Sequence, residues 1–165
     1  MGREHVARFW GDRLRRVGTV EVGTWDLPGA SKDWLMRVGI PIPETRSLWN
    51  FRFSGPEVPE DGREPSLPAT VVLGASRSQW VGAREPTGEI VVTDRETRQE
   101  EYANASVEGF IEFLTAYAEY ADEVERCTTT VAQRQTFRSF KERLRGIDPS
   151  AFERRTHFWP AFLAP

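Results

Sequence analysis

Residues 102–114, YANASVEGFIEFL, carry the chain from a strand into a helix and set its fold class. Ser106 is placed to cap the helix, because its side-chain oxygen can accept a hydrogen bond from an unpaired amide one turn on. Glu108 puts negative charge near the positive end of the helix. Val107, Phe110, Ile111, Leu114 and Ala118 recur at spacings of three and four, which predicts a helix with one apolar stripe on a core.

Three apolar, β-branched runs precede this motif: Thr70 to Leu73, Ser78 to Ala83 and Glu89 to Thr93, and Arg98 to Tyr102 reads as a short fourth strand. Pro86, Thr87 and Gly88 form a turn between the second and third, with Gly88 free to take positive φ. The order predicts a meander followed by a helix packed on it. Upstream, Val6, Phe9, Trp10, Leu14 and Val17 predict an amphipathic helix ending before Gly18. A second helix is expected from a cap at Ser31 to Gly39, stopped by Pro41. Leu48 to Phe53 reads as a strand, and the proline-rich, charged stretch from Ser54 to Pro68 as a surface loop or lid. After the long helix, expected to reach about Glu125, another carries Phe137, Phe140 and Leu144. The fold class is α+β: a central antiparallel or mixed sheet flanked by helices.

These elements, in this order, resemble the SUKH (Smi/Knr-like) superfamily of bacterial immunity proteins, and most closely its fourth family. Members read as a helix ending near L-x-x-V-G-I-P, a meander with a t-G-e-V turn, and f-v-N-s-S-l-e-x-F-l opening a long helix. The matching residues are Leu35, Val38, Gly39, Ile40 and Pro41, then Thr87, Gly88, Glu89 and Ile90, then Tyr102 through Glu108 with Phe110 and Ile111. Ile147, Asp148 and Pro149, followed by Phe158 and Trp159, are similar to the family's i-D-P... f-W ending. The chain departs from the pattern at Ala105, where serine is common, and in the shortened, arginine-rich link between Ala75 and Trp80. The resemblance implies a non-enzymatic module that binds a cognate toxin domain of a polymorphic or contact-dependent system, often a nuclease or nucleic-acid deaminase, and occludes its active site. It also leaves open a regulatory or scaffolding partner in a signalling or biosynthetic cluster.

Composition fits one domain spanning residues 1–165. At 39% apolar, with six Trp and ten Phe, the chain can bury one substantial core. A single cysteine, Cys127, allows no internal disulfide, and no apolar run is long enough to span a bilayer. A cytoplasmic protein is expected, monomeric or weakly dimeric, with no membrane association and no direct nucleic-acid binding.

Residues for chemistry are sparse. His5 and His157 are the only histidines, and neither has a second metal ligand at a useful spacing. Nothing beside Cys127 would lower its thiol pKa. Gly74 to Ser78 lacks the second glycine of a nucleophile elbow, and no phosphate-binding glycine loop is present. No catalytic residue, metal or cofactor is expected.

Charge is more telling. Residues 85–125 hold twelve acidic side chains against two basic, whereas residues 126–165 hold three against eight. Such blocks steer charged partners, and an acidic face suits a basic, nucleic-acid-directed site. The expected toxin-facing set is Glu85, Glu89, Asp94, Glu96, Glu108 and Glu112, with Trp80 as an aromatic anchor beside them. The competing expectation is a solvated helix face, with Glu112, Glu119, Asp122, Glu123 and Glu125 neutralised by Arg134, Arg138, Lys141 and Arg145 of the next helix.

Overall fold

A computed structural model describes residues 2–42, 52–53, 58–59 and 61–164. Among these residues the chain forms six α-helices and two antiparallel sheets, an α+β architecture. Helix α1 (Arg3–Trp10) leads through a 3-10 turn (Gly11–Arg13) into the two-residue strand β1 (Leu14–Arg15). Helices α2 (Thr19–Gly23) and α3 (Gly29–Arg37) follow, and β2 (Ile40–Pro41) pairs with β1. The main sheet is the meander β3 (Thr70–Ala75), β4 (Gln79–Arg84), β5 (Ile90–Asp94) and β6 (Glu100–Asn104), in sequential order. Helices α4 (Val107–Arg126) and α5 (Thr130–Ile147), a 3-10 turn (Pro149–Phe152) and α6 (Phe158–Phe162) complete the chain.

The apolar pattern of the opening motif is realised directly. Ser106 has extended backbone angles and its Oγ accepts from the Gly109 amide at 3.1 Å, so the helix begins where its cap permits. Phe110, Ile111 and Leu114 then lie buried against Val71, Leu73, Val81, Ala83, Ile90 and Val92, one face of the sheet. The other face carries a smaller cluster of Val72, Ala75 and Trp80 covered by Val58 and Leu67. Helix α5 packs on α4 through aromatic contacts, with Tyr120 and Phe140 stacked at 4.5 Å.

Two expectations are corrected near the N-terminus. The first helix does not continue to Val17: Gly11 turns the backbone to φ 55°, and Leu14 joins a strand instead. Ser31 is not a cap but a buried residue inside α3, which starts at Gly29 after Pro28. Gly39 does end the second helical segment, at φ 99°, where a side chain would meet the Arg15 carbonyl oxygen at 2.5 Å. Most of the expected strand at Leu48 to Phe53 and part of the Ser54 to Pro68 loop lie outside the described residues. Within them Phe53 is buried, 6.1 Å from the Phe110 ring.

Replacing Ser106 with Ala should lower the stability by about 1 kcal/mol, because one amide of the first turn loses its acceptor. Urea unfolding checks this as a lower midpoint at unchanged slope; an unchanged midpoint would contradict the cap.

Candidate functional site

The alternation of the meander distributes the acidic run over two opposite ends of the sheet. The β3–β4 and β5–β6 turns share one end, where the Arg95 amide donates to the Ser78 carbonyl at 2.8 Å. The β4–β5 turn and the start of α4 share the other, since Ile90 pairs with Asn104. Asp94 and Glu96 therefore stand at the first end, and Glu85, Glu89 and Glu108 at the second.

At the second end, segments distant in sequence meet on one buried carboxylate. Asp148 Oδ2 accepts from Asn104 Nδ2 at 3.1 Å and from the Ala105 amide at 2.8 Å. Its Oδ1 accepts from the Ser150 amide at 3.1 Å and from the Ser150 hydroxyl. The remaining side of Asn104 is used as well, for Trp159 Nε1 donates to Asn104 Oδ1 at 2.8 Å. Asn104 and Trp159 are fully buried. Four donors hold the Asp148 carboxylate, which enters no ion pair among the described residues, as strong charge-assisted bonds permit. Since Ser150 donates to Asp148, the Tyr102 hydroxyl donates to Ser150 Oγ, at 2.7 Å. His157 Nδ1 donates to the Ser150 carbonyl at 3.1 Å, and its ring lies 4.9 Å from that of Tyr102.

Tyr102 is the partly buried centre of this corner. Burial first, and then the nearby carboxylates of Asp148, Glu89 and Glu153, push its phenol above the ordinary range, against the opposing Ser150 bond. Three carboxylates from separate segments thus act on one phenol. Glu108, in the first turn of α4, stands at the same end and is partly exposed.

The other sequence-selected residues are placed differently. Glu85 is engaged: Arg63 contacts it at 2.6 and 2.8 Å, and it accepts from the Asp26 amide at 2.6 Å. Its carboxyl is held below the usual range mainly by the Arg63 hydrogen bond. Glu112 is buried, and burial pushes its carboxyl up. Trp80 is only 5% exposed, with the Arg95 and Arg98 guanidinium groups 4.5 and 5.1 Å from its ring centroid. Asp94 is committed to its own turn, accepting from the Glu96 and Thr97 amides and the Thr97 hydroxyl. Glu96 is exposed in that turn. On the acidic face of α4, Glu119 contacts His5 at 2.7 Å and Arg143 at 2.5 Å, and among the described residues no ion pair involves Arg134, Arg138, Lys141 or Arg145. Sequence reading passed over Tyr102, Ser150, Glu153 and His157 as site residues. The available signal was the i-D-P ending, which carries a turn-capping aspartate rather than only a helix stop.

Among the described residues no group of three or more His, Cys, Asp or Glu could hold a metal ion. No helix among them is long and apolar enough to cross a membrane.

Comparison with protein families places this corner in context. The family model described as SUKH-4 immunity protein matches residues 1–164. The chain belongs to the SUKH-4 immunity protein family. A search of curated proteins gave no significant match, and neither did a search of solved structures. Family membership supports an immunity role, with a cognate toxin as its partner. In this SUKH-4 protein two of the family-like motifs, one around Asn104 and the other around Asp148 and Trp159, are joined by hydrogen bonds.

The Glu85–Arg63 pair provides a pH-dependent test of the second end. A carboxyl with a depressed folded value contributes stability that is fully present above its unfolded value, about 4.5, and is lost as pH falls through the lower folded value. The stability difference between wild type and Arg63→Gln should therefore be constant near neutral pH and narrow below about pH 4.5. A difference that stays flat through acid would contradict the pairing.

Proposed function

We propose that this SUKH-4 protein neutralises a nucleic-acid-directed toxin, a nuclease or a deaminase, by covering its basic active-site surface with the corner built around Tyr102. The observation that carries the reading is the partly buried Tyr102, bonded to Ser150 and 4.9 Å from the His157 ring, at the end of the sheet that also holds Glu89 and Glu108. An aromatic centre within a charged rim is the usual anatomy of a tight protein interface. A toxin active site that attracts phosphates presents positive potential, and carboxylates presented in a fixed array substitute for the phosphates. The hydrogen bonds from Tyr102 and His157 to Ser150 supply that fixed array, because they tie the strand edge to the turn behind it.

The toxin-facing set accordingly narrows from the acidic block to Glu89 and Glu108, joined by Tyr102, Glu153 and His157. Glu85 and Glu112 have their charges directed inward, Trp80 is covered, and Asp94 and Glu96 stand at the far end of the sheet.

Glu89→Lys combined with Glu108→Lys should slow association with the cognate toxin about tenfold or more, and added salt should slow the wild type in the same sense while changing dissociation little. Arg134→Glu with Arg138→Glu, on α5, should leave the rate nearly unchanged. Stopped-flow mixing reads both. Association indifferent to salt and to the acidic reversals would overturn the steering mechanism.

A further inference from the structure

The turn at the other end of the sheet is built around two arginines. Asp94 organises the β5–β6 turn through its carboxylate, and the Arg98 amide closes it on the Asp94 carbonyl at 3.0 Å. This closure places Arg98 at φ 62°, a left-handed conformation that glycine or asparagine adopts far more readily. The reason for an arginine there is visible in its side chain: the guanidinium lies 5.1 Å from the Trp80 ring centroid and donates to Ser66 Oγ at 2.8 Å. Arg95 reaches the same ring at 4.5 Å and donates to the Ser76 carbonyl at 3.1 Å. Trp80 is thus a platform for two cations rather than an anchor of its own.

Two like charges on one ring repel each other, and among the described residues neither is closed by a direct ion pair; Asp94 feels the Arg98 charge without contacting it. The Asp94 Oδ1 atom already accepts three hydrogen bonds from its own turn. Each guanidinium spends one Nη1 bond, Arg95 on the Ser76 carbonyl and Arg98 on Ser66 Oγ, which in turn donates to Glu64, and keeps its remaining donors. Arg77, exposed in the adjacent β3–β4 turn, adds a third positive charge at this end.

We propose that Arg95 and Arg98, seated on Trp80, form a binding subsite for a carboxylate side chain presented by a protein partner. The planar fork of a guanidinium matches a carboxylate in shape, and preorganisation on the indole reduces the entropy lost on binding. A single negative charge suits the site better than a phosphate dianion, since Asp94 and the exposed Glu96 belong to the same turn and repel higher charge. The subsite lies at the end of the sheet opposite Tyr102 and is independent of the toxin reading, so the two stand or fall separately.

The test uses the intact protein and an acetylated, amidated tetraglutamate peptide at low ionic strength. The Trp80 indole N–H resonance, assigned with Trp80→Phe, serves as reporter. The expected result is a saturable shift whose dissociation constant rises about tenfold or more in Arg95→Gln/Arg98→Asn. Asparagine is chosen at position 98 because it tolerates the left-handed turn, and Arg95→Gln alone, which leaves the turn backbone intact, should show a partial loss. No saturable shift in wild type, undiminished affinity in the variants, or a shift produced by inorganic phosphate but not by the peptide would each overturn the proposal.

Discussion

A buried carboxylate held by hydrogen bonds, and by no ion pair among the described residues, is the constraint on which this structure turns. Asp148 is 7% exposed and accepts from Asn104, Ala105 and both donors of Ser150, so the end of β6, the start of α4 and the turn before α6 share one acceptor. Removing a charge from water is tolerable only when hydrogen bonds replace the lost solvent, and this network does so completely on both oxygens. Trp159 extends it into the core through Asn104 Oδ1, with its ring 5.0 Å from Phe113. The C-terminal segment is thereby fixed to the sheet by polar specificity and aromatic packing together. Tyr102 and His157, which hang from Ser150, inherit that fixed position.

The fate of the acidic run illustrates how a linear charge count misleads. Residues 85–125 are strongly negative in sequence, yet a meander sends successive turns to opposite ends of the sheet, and strand pairing separates Asp94 from Glu89 as it brings Glu89 toward Tyr102. Some charges are then consumed locally: Glu85 by Arg63, Glu100 by Arg84, Glu119 by His5 and Arg143. Of the rest, Glu89 and Glu108 stand at one end of the sheet, while the other end carries two arginines that enter no described ion pair. Electrostatic complementarity of this kind acts on encounter rate and register more than on raw affinity.

Local physics made much of the fold legible. Caps, turn glycines and apolar period are short-range signals, so Ser106, Gly88 and the stripe through Phe110 and Leu114 were readable, as was the strand order. The boundary of α1 was not, because Leu14 and Val17 continue a helical period by coincidence while strand pairing with Ile40 and Pro41 claims Leu14 and its neighbour. Ser31 looked like a cap until tertiary packing buried it. The site was harder still. Asn104, Asp148 and Trp159 each suggested a local role, a strand end, a turn and a core aromatic, and only their meeting across more than forty residues of chain shows the shared function. Resemblance to the family kept these three residues in view without stating that they touch.

A double-mutant cycle between Asn104 and Trp159 tests this dependence most directly. Asn104→Ala, Trp159→Phe and the combined variant are compared by urea unfolding, and Trp159→Phe removes the indole donor while keeping an aromatic ring in the core. A shared hydrogen bond within a buried network predicts that the double variant loses less than the sum of the singles, by about 1 kcal/mol or more. Strict additivity would contradict the claim that the strand end and the C-terminal helix are held by one polar junction.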